Sequence, residues 1–183
     1  MLQSGKPRPA VFLDRDGVIN RALIVQGLPY SPRKTEELVI IDGVKDAASR
    51  LSDKGFEIVV VTNQPDVANG LISQRQVENF HKIISLRTGI KHFYVCYHNE
   101  GDGCDCRKPK IGLLRKAADE LNIDLSRSFL VGDRWKDIKG GQSVGCLCLF
   151  IDNYYAEQRP EPPFYTVGSL MQAVDTILEK DDV

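Results

Sequence analysis

The sequence has no apolar run long enough to cross a bilayer. Its longest such runs, Leu38–Ile41, Ile58–Val61 and Cys146–Ile151, are strand-sized and far short of the roughly 20 residues a membrane helix needs. Nor is there an excess of charge: 24 Lys+Arg against 25 Asp+Glu leave a formal net charge of −1. That balance argues against a nucleic-acid binder relying on a strong basic field. Residues 1–10 lack an apolar h-region, so a cytoplasmic protein is expected rather than a secreted one. There is no internal repeat and no low-complexity tract. Five cysteines cannot all pair, and three of them cluster with a histidine, a pattern that favours a metal over disulfides. The expected partner is a small molecule, not nucleic acid or a membrane, and the expected state is a monomer.

What is present reads as a parallel α/β protein. At roughly 150 residues per domain, 183 residues predict a single domain over 1–183. Apolar, β-branched runs alternate with helical patterns, the signature of successive βαβ units. Strands are predicted at Pro9–Leu13, Phe56–Val61, Lys91–Tyr97, Ser128–Val131 and Cys146–Ile151. Helices are predicted around Val44–Leu51, from a Ser73 cap to Gly89, and over Ile111–Leu121, Trp135–Gln142 and Ser169–Leu178. Leu38–Ile41 is apolar but of open type, the stretch from Asp14 to about Thr35 reads as irregular, and Asn153–Pro163 is expected to wrap the surface.

Chemistry-bearing residues fall at the predicted strand ends, where open parallel sheets bind ligands. Asp14-Arg15-Asp16-Gly17 follows the first strand. Two carboxylates so close need a shared cation, which points to a hard metal such as Mg²⁺; alone, the pair also fits a polar strand-to-loop cap. Thr62-Asn63-Gln64 ends the second strand with a hydroxyl and an amide, a phosphate-binding pair or a plain turn. Gly132-Asp133 and Asp137 follow the fourth strand. Arg107 and Lys108 bring positive charge suited to an anionic substrate.

In that order, Asp14-x-Asp16, Thr62, Lys108 and Gly132-Asp133-x-x-x-Asp137 resemble the four motifs of the haloacid dehalogenase-like (HAD) phosphatases, over roughly residues 9–150. The resemblance implies a Rossmann-like HAD fold, a parallel sheet flanked by helices. The short Asp16–Thr62 separation implies no cap domain. The resemblance also implies that Asp14 is the nucleophile forming an aspartyl-phosphate, and that Asp16 serves as general acid and then base. Mg²⁺ would be held by Asp14, the Asp16 backbone carbonyl and Asp133, with Asp137 secondary or orienting. Thr62, Asn63 and Lys108 would stabilise the phosphoryl oxygens.

A second constellation is Cys96-x-His98, five residues, then Cys104-x-Cys106. Three thiolates and one imidazole form a closed tetrahedral set suited to structural Zn²⁺. This loop resembles the zinc loop of two capless subfamilies, the heptose 1,7-bisphosphate 7-phosphatases and the histidinol-phosphate phosphatase domains. The expected substrate is a small sugar phosphate, D-glycero-D-manno-heptose 1,7-bisphosphate cleaved at C7, with Arg107 binding it. The short zinc loop, Pro65, Asn69 and the Ala22–Arg33 loop depart from the heptose pattern. Histidinol phosphate is the first alternative, and a DNA 3′-phosphatase or a non-catalytic zinc-stabilised binding protein the others. Cys146 and Cys148 alternate on a strand and read as core, and His81 and His92 as surface. Arg15 fits either substrate contact or charge balance, and Trp135 either the site or packing beside the sheet.

Overall fold

The computed structural model describes residues 5–181, so the reading of the N-terminal segment falls partly on residues 1–4, outside the described residues. In chain order the elements are β1 (Ala10–Leu13), β2 (Leu23–Val25), β3 (Leu28–Tyr30), α1 (Val44–Asp53), β4 (Glu57–Asn63), α2 (Gln74–Thr88), β5 (His92–Cys96), α3 (Gly112–Leu121), β6 (Phe129–Gly132), α4 (Trp135–Gln142), β7 (Leu147–Ile151), β8 (Tyr165–Val167) and α5 (Leu170–Asp181). Six strands form one sheet in the order β5-β4-β1-β6-β7-β8, and every neighbouring pair is parallel. Among the described residues, no helix is long and apolar enough to cross a membrane.

All four residues of β1 are buried because the sheet is covered on both faces. Strand alternation divides them. Val11 and Leu13 join a core with α1, α2 and α5, where Ala47, Leu51, Phe80, Ile84, Val174 and Ile177 are wholly buried. Ala10 and Phe12 face the opposite core, with Leu114 and Ala117 of α3 and Ile138 of α4. Cys148 lies in that second core, and Cys146 is buried beside it. The caps follow the sequence as well: the Ser73 hydroxyl accepts from the Gln76 N–H at 3.1 Å, and Gly89 ends α2 in the left-handed region.

Three elements had no counterpart in the sequence reading. The stretch after Asp14 holds the antiparallel hairpin β2–β3, turning at Gln26 and Gly27, both with positive φ (52° and 79°). That is the conformation of a type I′ turn, for which Asn or Asp is the usual first residue, and β3 contains a proline. The edge strand β8 is three residues long and mostly exposed. Leu38–Ile41 forms no strand; Ile40 makes an isolated bridge to Asn20. Between β1 and α1 the chain therefore carries a hairpin rather than a cap domain.

The chain runs from β1 outward through β4 to β5, then returns to β6 on the other side of β1. This reversal opens a crevice at the carboxyl end of β1. On one flank α4 packs so closely that a Cβ on Gly141 would lie 2.7 Å from Cys148 Sγ and 3.0 Å from Leu130 Cβ. Gly141→Ala should therefore lower stability by about 1–3 kcal/mol through overpacking, although alanine favours a helix by about 0.5–1 kcal/mol. Urea unfolding measures the net effect, and an unchanged or raised midpoint would refute the close packing.

Candidate active site

The crevice is built from loops that leave the carboxyl ends of β1, β4, β5, β6 and β7. Asp14 is the first residue past β1, and its N–H extends the ladder to the Val131 carbonyl at 3.0 Å. Gly17, at φ +89°, then turns the chain; a Cβ there would lie 1.7 Å from Asp133 Oδ2. Both the backbone angle and the close approach demand glycine.

Lys108 sits at the centre, buried, although it arrives from the distant loop after β5. Its Nζ donates to Asp14 Oδ1 at 2.7 Å and to the Val61 carbonyl at 2.6 Å, and pairs with Asp137 Oδ1 at 2.6 Å. All three ammonium protons are thus engaged. The Asn63 amide holds this lysine in place, donating to its carbonyl at 3.1 Å and accepting from its N–H at 3.0 Å. Asn63 therefore reaches the cleft wall with its side-chain groups already paired. Asp137 is likewise double-held: its Oδ2 accepts from the Arg134 N–H at 3.0 Å.

Carboxylate oxygens of Asp14, Asp133 and Asp137 lie within 4.8 Å of one another, all buried. Burial pushes the Asp14 carboxyl up to about 6, with Lys108 opposing and Asp137 adding to the rise. Burial, then the neighbouring Asp14 and Asp137, raise Asp133 well above its ordinary value. Three carboxylates facing one lysine leave an excess of two negative charges when all are ionised, which a single hard dication matches. Asp133 Oδ1 is buried with no hydrogen-bond partner among the described residues, as an oxygen reserved for a cation would be. The site fits a divalent metal held by Asp14 and Asp133, with Asp137 aiming the lysine.

Asp16 lines the same cleft but is held by a separate network. Arg15 grips it through Nε and Nη2 at 3.0–3.1 Å. Asn20, Ser31 and Gln64 donate to it at 2.8, 2.7 and 2.9 Å. Burial acts to raise its pKa, but Arg15 and these donors outweigh burial and leave the carboxyl below its ordinary value. Arg15 itself is wholly buried, and of the two readings the sequence left open its contacts fit charge balance, since it pairs with Asp16. Its Nη1 lies 3.3 Å from His81 Nε2. Burial, then Arg15, press this imidazole down to about 3, so it stays neutral and accepts from the guanidinium. The surface reading of His81 is corrected: it is buried and stacked on Phe93 at 4.7 Å. Its helix face looked polar because its partner is a buried arginine from another element. His92 is partly exposed and pairs with Glu57 at 3.0 Å.

The cleft above Asp14 is lined by Asp16, Tyr30, Ser31, Thr62, Asn63, Lys108, Arg134, Lys136 and Asp137. Thr62, expected at the site, is there and accepts from Gln64 at 3.0 Å. Arg107 does not line this cleft; its guanidinium donates to the His98 carbonyl at 3.2 Å. The cleft's further positive charge comes from Arg134 and Lys136, which the sequence reading passed over although they lie one and three residues after Asp133. Gln64, Asn20 and Ser31 were also missed, since uncharged residues spread over 45 positions carry no shared spacing. Trp135 begins α4, with the Lys136 ammonium 5.4 Å from its ring.

The second constellation also comes together. Ligand atoms of Cys96, His98, Cys104 and Cys106 all lie within 4.8 Å of one another. Cys96 Sγ is 3.7 Å from both His98 Nδ1 and Cys104 Sγ, and His98 Nδ1 is 3.3 Å from Cys106 Sγ. A tetrahedron with metal–sulfur bonds of about 2.3 Å has edges near 3.8 Å, so these separations suit a four-coordinate metal.

The sequence model of the haloacid dehalogenase-like hydrolases matches residues 21–145. A Haemophilus influenzae protein named D-glycero-beta-D-manno-heptose-1,7-bisphosphate 7-phosphatase is 38% identical over 143 residues, which are 72% of this chain and 74% of that one. The Escherichia coli protein of the same name is 36% identical over 146 residues, 73% of each chain. Among solved structures, the D,D-heptose 1,7-bisphosphate phosphatase from B. bronchiseptica, complexed with magnesium and phosphate, shares this fold with a TM-score of 0.79. It is 24% identical, and the match covers 94% of this chain and 99% of that one.

The charge balance of the carboxylate cluster sets a pH test. The folded pKa of Asp14, about 6, lies above its ordinary 3.8, so without metal its protonated form is favoured below about pH 6. The stability this contributes is complete below pH 3.8 and is lost as pH rises through about 6. A dication binds the ionised cluster, so Mg²⁺ should raise the melting temperature near pH 7.5 and have little effect near pH 4.5. Thermal unfolding with and without Mg²⁺ checks this, and equal shifts at both pH values would refute it.

Proposed function

This chain belongs to the haloacid dehalogenase-like hydrolases and is a phosphoric monoester hydrolase, and from that premise we propose that, as a single catalytic domain, it removes the C7 phosphate of D-glycero-D-manno-heptose 1,7-bisphosphate. The observation that carries the chemistry is Asp14 paired with Lys108 at 2.7 Å, next to the partnerless Asp133 oxygen. The curated relatives carry the substrate assignment.

Asp14 attacks phosphorus, and the bond to the sugar oxygen breaks as the aspartyl-phosphate forms. Asp16 gives a proton to the departing oxygen, then takes one from the water that attacks phosphorus, releasing inorganic phosphate and Asp14. At rest Asp16 is held ionised by Arg15, which suits the second half. The arriving phosphate is a further anion that raises its pKa and readies it for the first. Lys108 and Thr62 stabilise the phosphoryl oxygens, and Asn63 contributes by fixing Lys108. Asp14, Asp133 and the Asp16 carbonyl would hold Mg²⁺, which when bound would supply positive charge to neutralise the phosphate and polarise a phosphoryl oxygen. Lys136 and Arg134 line the cleft where a second anionic part of the substrate would lie, a role first expected of Arg107.

Phosphate release tests this reading on heptose 1,7-bisphosphate and histidinol phosphate, with wild type and Asp14→Asn. Wild type should show the higher kcat/KM on the heptose, and the variant less than about 1% of wild-type turnover on either, since it loses the nucleophile but not its volume. A better histidinol phosphate rate overturns the substrate, and an active variant overturns the mechanism.

The four-ligand loop is read as structural zinc, because three thiolates and an imidazole leave no open coordination position. Cys106 is two residues before Lys108, so the metal would hold the loop that delivers the lysine. Purified protein should contain about one zinc per chain. Cys106→Ser or chelation should lower both melting temperature and activity. Full activity and unchanged melting without metal would refute the role.

A further inference from the structure

Asn153–Pro163 was expected to wrap the surface, yet its first residues run into the carboxylate cluster. The Tyr155 hydroxyl donates to Asp133 Oδ2 at 2.7 Å, and the Asn153 amide reaches the same oxygen at 3.2 Å. That amide also contacts the Gly17 carbonyl at 3.2 Å and the Tyr155 oxygen at 3.1 Å. Asp133 is thus held by one oxygen while the other, Oδ1, has no partner among the described residues.

We propose that Asn153 and Tyr155 are positioning residues that orient Asp133 and so tighten divalent-cation binding. The inference rests on the reading of Asp133 as a metal ligand and deepens it. Both donors are neutral, so they fix the carboxylate without cancelling the charge that attracts a cation. The same logic lets hydrogen-bond partners behind a metal ligand change affinity by about 10–100-fold. The segment is pinned on both sides: the Ala156 N–H donates to the Gly27 carbonyl at 2.8 Å, and Glu157 accepts from Arg134 Nε at 2.9 Å. Gly17 leaves room for this packing, since a Cβ there would stand 2.7 Å from the Tyr155 oxygen. The hairpin tip, the turn after Asp16 and the start of α4 are thereby joined through one short segment.

Calorimetric titration of the full chain with Mg²⁺ and with Mn²⁺, without substrate, tests this directly. Tyr155→Phe keeps the ring and removes only the hydroxyl, so its Kd should rise about 10-fold. Asn153→Ala should weaken binding in the same direction, and Tyr154→Phe, altering an exposed neighbour, should leave the isotherm at the wild-type position. The Mg²⁺ midpoint for phosphate release should shift by the same factor, with the activity lost at low Mg²⁺ recovered at high Mg²⁺. Wild-type affinity in both folded variants overturns the positioning role. If wild type binds a cation and Asp133→Asn loses it while Tyr155→Phe does not, the positioning role of Asn153 and Tyr155 falls and the metal site stands. If wild type binds none, the metal-site reading falls with it.

Discussion

A buried ammonium among three buried carboxylates governs this molecule. Lys108 contacts Asp14, Asp137 and the Val61 carbonyl, so it cannot move without leaving charges unpaired in a low-dielectric interior. The same arrangement leaves two negative charges unbalanced, an excess that a bound dication would offset. Stability and chemistry pull in opposite directions here. The apolar packing below the site, with β1 wholly buried on both faces, supplies the rigidity that holds like charges together.

Two proposed working carboxylates lie two residues apart and differ because their surroundings differ. Asp14 stays in the cluster, where burial raises its pKa to about 6. Asp16 is held by Arg15 and by three uncharged donors, Asn20, Ser31 and Gln64, which together lower it. Such separation of neighbouring pKa values is how one site offers a nucleophile and a proton carrier. The buried His81 belongs to this device: it takes up an Arg15 donor that would otherwise lack a partner, without adding charge.

Much of this was legible from spacing. The alternation of apolar runs predicted the parallel sheet, since burial of both strand faces leaves a continuous apolar signature. Asp14, Asp16, Lys108, Asp133 and Asp137 stood out because strand-end acids and a lysine in fixed order are chemically costly without a purpose. The hairpin β2–β3 was not legible, as Gln26-Gly27 lacks the usual turn residue and Pro29 argues against a strand. Asn153 and Tyr155 were not legible either: in a tyrosine- and proline-rich stretch, nothing local distinguishes a residue bound to Asp133 from one facing solvent.

The sequence by itself determined which side chains could do chemistry and that they would gather at one edge of a parallel sheet, because strand period and strand-end position are local properties. Tertiary structure alone decided what each group does. It paired Asn63 with the Lys108 backbone, kept Arg107 out of the cleft lining, sealed Arg15 against His81 and brought Tyr155 to Asp133. The Asn63, Arg15 and Tyr155 outcomes depend on contacts between residues 22 to 66 positions apart, and charge state and orientation follow from such neighbours rather than from the chain's own order.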